Sequence, residues 1–110
     1  MRKPHTYRPQ TLDAAKALGL EIAIVRRERR WTTSALAERV GISPVTLRKI
    51  ERGDPTVALG SAFEVATLLG ISLFAPGPRE LSSMIDHGST QLALLPSRVR
   101  ESTREVHDAF

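Results

Sequence analysis

Apolar positions along the first seventy residues recur at helical intervals and are cut by glycine and proline. Leu18, Ile22 and Val25 fall three and four residues apart, and Leu12 and Ala15 extend the same stripe. That period predicts a helix over 12–30 with Thr11 as its cap, closed by the charged run Arg26-Arg27-Glu28-Arg29-Arg30. A second helix is predicted from Thr33 to Val40, capped by Thr32 or Thr33, with Leu36, Ala37 and Val40 inward. Gly41 stands where a left-handed terminator belongs, Ile42 plugs the turn, Ser43 caps a third helix and Pro44 takes its first position. Leu47 and Ile50 point inward from that helix, and Gly53 ends it before the Asp54-Pro55 turn. A fourth helix is expected over 57–69, capped by Thr56, with Leu59, Phe63, Ala66 and Leu69 as its buried stripe, and Gly70 closes it.

Beyond Gly70 the pattern weakens. Residues Ile71 to Ala75 read either as a short strand or as an extended link, and Pro76-Gly77-Pro78 breaks the chain. Arg79 to His87 form a short helix with Leu81, Met84 and Ile85 on one side, ended by Gly88-Ser89. Gln91 to Leu95 is an apolar run too short for its period to classify, stopped by Pro96. No internal repeat is present. The expected architecture is all-α, a compact bundle of about five short helices with at most a short C-terminal strand. The expected organisation is a flexible basic arm over 1–11, a helix-turn-helix domain over 12–75, a C-terminal helix and apolar segment over 76–97, and a mobile tail over 98–110.

Composition narrows the function classes. The chain has 110 residues and no cysteine, so a disulfide framework, a thiolate metal site and a cysteine nucleophile are excluded. His5, His87 and His107 are scattered, no acid joins a histidine at metal spacing, and there is no glycine-rich phosphate loop. A non-enzymatic protein without metal or cofactor is expected. No apolar run approaches the ~18 residues of a membrane span, and no apolar stretch follows Arg2, Lys3, His5 and Arg8 as a signal peptide requires. The expected setting is therefore the cytoplasm.

The net charge of +4 is modest, but its placement is not. Between Arg26 and Arg52 there are eight basic residues against three acids, and a positive field on one motif attracts a polyanion. The N-terminal arm is either an inert leader or a contact to phosphate or the minor groove. The arginine run at 26–30 reads equally as a solvated, dipole-compensating helix end or as a phosphate contact.

The text Leu18-Gly19, Ile22 and Arg26, then Leu36-Ala37, Val40-Gly41-Ile42-Ser43, Thr46-Leu47 and Ile50-Glu51-Arg52-Gly53, resembles the lambda-repressor-like, xenobiotic-response-element family of helix-turn-helix regulators. Leu59, Phe63, Ala66 and Leu68-Leu69-Gly70 extend the resemblance through helix four. The resemblance implies an ion pair between Arg26 and Glu51, which locks the third helix to the scaffold. It also implies a homodimer on a palindromic operator of double-stranded DNA. Gly70 to Phe74, Leu92 to Arg100 and Val106 to Phe110 resemble antitoxins of the HipB type. That narrower resemblance implies repression of the chain's own operon and binding to a HipA-like kinase toxin.

A helix capped and charged in this way fits the major groove. Ser43, Thr46 and the methyls of Val45 would face base edges beside Pro44, with Arg48 and Lys49 reaching guanine or flanking phosphate. Members of the family often carry glutamine where this chain has Pro44 and Val45, so adenine reading by an amide is not expected there. Thr33 would meet phosphate at a helix N-terminus, and Arg52 and Arg39 would act as phosphate clamps. Ile71, Leu73, Phe74, Leu92, Leu94 and Leu95 are the dimerisation candidates, with core closure as the competing explanation for each.

Overall fold

A computed structural model describes residues 6–99. Among these the elements are α1 (Pro9–Glu28), α2 (Thr33–Val40), α3 (Pro44–Glu51), α4 (Leu59–Leu68) and α5 (Pro78–Ala93), with no strand. The chain divides into two units, residues 1–73 and residues 74–110.

In the first unit α3 packs against both α1 and α2, and α2 packs against α4. One core joins them, built from Ile22, Leu36, Ala37, Leu47, Ile50, Ala62, Val65, Ala66, Leu69 and Ile71. Helices α1 to α4 end in the same closure. The backbone N–H of Trp31, Ile42, Asp54 and Ile71 donates to the carbonyl five residues back, across a residue of positive φ. This satisfies carbonyls that a helix end leaves open. Gly41, Gly53 and Gly70 fill that position in α2, α3 and α4, as the pattern predicts, whereas α1 uses Arg30 at φ 60°.

Several boundaries differ from expectation. Helix α1 begins at Pro9 with Arg8 as its cap residue, so Thr11 is already helical and residues 9–11 are not part of an arm. Proline at N1 loses no hydrogen bond, which lets the helix extend backward past Thr11. Residues 1–5 of the expected arm and residues 100–110 of the expected tail lie outside the described residues. Helix α4 starts at Leu59, and Thr56 is occupied elsewhere, donating its N–H and hydroxyl to Asp54 Oδ1 at 2.8 and 2.6 Å. The buried face of α4 is Ala62, Val65 and Ala66, with Leu69 just beyond. Phe63 is half-buried and Leu59 is exposed. This helix is apolar on most sides, so its period alone does not select a face.

Residues 71–73 are an extended link, not a strand, and Ile71 is a core residue. In the second unit α5 continues through Gly88 and Ser89 to Ala93 and absorbs the start of the apolar run. Glycine inside a helix costs about 1 kcal/mol relative to alanine, but does not by itself end the helix. No helix among the described residues is long and apolar enough to cross a membrane.

Candidate nucleic-acid interface

Helix α3 is set by its caps. The Ser43 hydroxyl accepts the Thr46 N–H at 3.0 Å and donates to Thr46 Oγ1 at 3.0 Å, and Pro44 occupies N1. Both hydroxyls of the expected base-reading pair are thus engaged with each other at the helix tip. Leu47 and Ile50 enter the core. At 100° per residue the side opposite them carries Val45, Arg48, Lys49 and Arg52, all exposed. Their spacing of three, four and seven makes one stripe of three cations beside an isopropyl group. Pro44 and Thr46 are half-buried at its margins.

The far end of α3 is anchored to α1. Arg26 Nε donates to Glu51 Oε2 at 2.6 Å, and Nη2 donates to Oε1 at 3.1 Å, a two-pronged fork. The third arm of the guanidinium, Nη1, donates to the Trp31 carbonyl at 2.8 Å. Hydrogen bonding to the Glu51 carboxylate raises the Arg26 pKa above its already high ordinary value, against the burial that lowers it. The charge is therefore held, and the planar fork fixes orientation as well as distance.

Two glycines let the backbones meet. A Cβ on Gly19 would overlap the Ile50 carbonyl oxygen and stand 2.6 Å from that of Glu51. A Cβ on Gly53 would lie 2.7 Å from Lys16 Cα, and its φ of +80° also favours glycine. Gly19 was legible only as part of the family resemblance. No local signal gives its role, because the partner carbonyls lie some thirty residues away in sequence.

The arginine run is divided among tasks that its sequence does not separate. Arg26 belongs to the ion pair. Arg29 Nη2 donates to the Leu69 carbonyl at 2.8 Å and so caps the end of α4. Arg30 takes the left-handed position. Arg27 lines an open groove between α1 and α3 with Leu20, Ile24, Arg48 and Arg52. Arg39 lies over the Trp31 ring at 4.8 Å, a cation–π contact that leaves it exposed.

At the start of α2 the cap is Thr32, whose side chain accepts the Ala35 N–H at 3.0 Å. Thr33 is the first helical residue and is half-buried. Its N–H belongs to the first turn, where the helix dipole favours an anion. Asp54, after α3, accepts both Thr56 donors, and these bonds together with Lys49 and Arg52 hold its carboxyl below the ordinary 3.8.

The dimerisation candidates divide. Ile71 is buried in the core and Leu73 is half-buried against it, because the link after α4 must seal the bundle. Phe74, Leu92, Leu94 and Leu95 are exposed.

Residues 22–75 match the family model described as Helix-turn-helix, from the middle of α1 to just past α4. The chain is also similar to the HTH-type transcriptional regulator SutR of Escherichia coli (strain K12), with 27% identity over 85 residues. That alignment covers 76% of this chain and 48% of the relative, so the chain spans about half the length of the curated protein it matches. No solved structure matches.

Proposed function

We propose, from the match of residues 22–75 to the helix-turn-helix family model, that the chain is a sequence-specific DNA-binding transcriptional regulator, without enzymatic activity, working in the cytoplasm. The observation that carries this reading is the outward stripe of α3, three cations and a valine on a helix braced from behind. In the major groove Arg48 and Lys49 reach base edges or phosphate, Val45 offers methyls to thymine, and Arg52 holds phosphate. The Ser43–Thr46 pair sits at the helix tip, where a base edge would exchange with their mutual hydrogen bond. The first turn of α2, with Thr33, takes a backbone phosphate. A homodimer reads two half-sites of a palindrome about one helical turn apart.

The finer proposal is that the regulator is an antitoxin, repressing its own operon and binding a HipA-like kinase toxin. It is supported by the sequence text of the C-terminal segment, much of which lies outside the described residues. A stand-alone repressor is the second reading, and the name of the E. coli relative favours it. Co-purification with the product of a neighbouring kinase gene decides between them.

The DNA reading is tested by anisotropy titration on a fragment of the chain's own promoter. Arg48→Ala and Lys49→Ala each weaken specific binding by about 1–3 kcal/mol where they contact bases. Wild-type affinity in both variants removes α3 from the role. Failure to bind any DNA at low salt, with tight binding to a protein, identifies an interaction module instead.

A further inference from the structure

Helices α1 and α3 are held together at two places. Their backbones touch at Gly19, where a Cβ would overlap the Ile50 carbonyl oxygen. The Arg26–Glu51 fork ties them again, about two turns further along α1. Beside this seam lies an open groove of about 370 Å³, with Leu20, Ala23, Ile24 and Arg27 along α1 and Arg48 and Arg52 along α3. Both walls are anchored, so the groove exists before anything enters it. Its volume is at the low end of the ~300–1,000 Å³ of small-ligand sites.

The lining is of two kinds. Leu20 and Ile24 stand one turn apart on α1, are 61% and 54% exposed, and do not join the core. Arg27, Arg48 and Arg52 are exposed as well, and among the described residues none of them forms an ion pair. The carboxylate on the groove, Glu51, has both oxygens on Arg26, so its charge is already balanced. Glu21 and Glu28 lie on the opposite side of α1 from Gly19 and so face away from α3. Asp54, past the end of α3, feels Arg52 and Lys49 while it accepts both Thr56 donors. The groove therefore presents an excess of positive charge beside a bare aliphatic strip. A phosphate backbone satisfies the cations and offers nothing to the strip. A hydrocarbon does the reverse.

We propose that the groove binds a small amphipathic organic anion, its aliphatic body on Leu20, Ala23 and Ile24 and its carboxylate on Arg27, Arg48 and Arg52. Guanidinium forks suit a planar carboxylate. The strip from Leu20 to Arg27 is about 10 Å long. That suits a medium-chain acid, whereas a stable protein partner covers ~800 Å² of each surface. Arg48 and Arg52 are also the cations that the DNA reading sets against bases and phosphate. Anion and duplex therefore compete for them, and each weakens the other's binding by the same factor. This competition rests on the proposed DNA reading, but the site itself does not, and its test uses no DNA.

The probe is decanoate, kept below its micelle concentration and titrated into the isotope-labelled full chain. Amide resonances of residues 20–27 and 48–52 shift and saturate. Acetate lacks the body and decyltrimethylammonium carries the opposite charge, so both bind at least about tenfold more weakly. Ile24→Gln and Arg27→Gln each weaken decanoate by about tenfold, and both side chains are exposed, so far-UV circular dichroism is unchanged. In anisotropy on the promoter fragment, decanoate weakens DNA binding by the wild type. Ile24→Gln removes that effect while its affinity without decanoate matches the wild type. Shifts confined to residues 92–99 place the anion on the C-terminal apolar groove and overturn the site. So does equal affinity for either control, which reduces the contact to apolar adsorption or to simple anion binding. So do shifts at Leu20 and Ile24 that follow protein concentration without any ligand, which put a second copy in the groove. A chain that binds decanoate as expected but no DNA refutes the DNA reading and keeps the site. Saturable binding that leaves DNA affinity unchanged overturns the competition.

Discussion

At the scale of single residues, Arg26 does the most. Its three arms hold the Glu51 carboxylate and the Trp31 carbonyl, so one side chain joins the end of α1 to the end of α3. Glu51→Ala should cost about 3 kcal/mol in urea denaturation, because it strands a largely buried guanidinium. Arg26→Met combined with Glu51→Leu should recover much of that loss, since an apolar pair of similar volume carries no desolvation penalty. A single variant with an unchanged midpoint would show that the fork contributes nothing to folding. The pairing was available from family resemblance, because two residues 25 apart carry no local signal of contact. The bond to Trp31 was not available at all, because a backbone carbonyl has no sequence signature. Arg30 is similar: nothing in its side chain announces a left-handed φ, so the end of α1 was legible only approximately.

At the scale of elements, the crossing of α1 and α3 depends on the missing side chain at Gly19. Gly19→Ala should destabilise the first unit by roughly 1–3 kcal/mol, because the added methyl meets backbone carbonyls that cannot rotate away. Helix propensity argues the other way by up to about 1 kcal/mol, and the overlap outweighs it. Gly60→Ala is the control. Position 60 lies in α4 with nothing within 4 Å of its Cβ, so the same substitution should raise the urea midpoint there. Equal effects at the two positions would refute the close approach. Helices α2 and α3 were readable nearly to the residue because Gly41, Ser43-Pro44 and Gly53 are local signals that act through local geometry. The inward face of α4 was not. Leu59 and Leu68 are as apolar as Val65, and only tertiary packing decides which of them is covered.

At the scale of the molecule, the local excess of positive charge survives folding, because the Arg26–Glu51 pair removes one charge of each sign and Arg29 stays exposed while it donates to the neutral Leu69 carbonyl. The proposed DNA complex should lose affinity steeply with salt, each neutralised phosphate adding about 0.9 to the log–log slope. Arg52→Ala should lower the slope by roughly that amount, whereas Arg29→Ala should reduce thermal stability and leave the slope unchanged. A flat salt response in the wild type would remove phosphate contact from the mechanism. The division of labour along α3 has an evolutionary side. Leu47, Ile50 and Glu51 hold the rod in place, and Val45, Arg48, Lys49 and Arg52 are exposed on its outward side. Target preference is therefore free to drift, one outward side chain at a time, in a lineage whose fold pays nothing for the change.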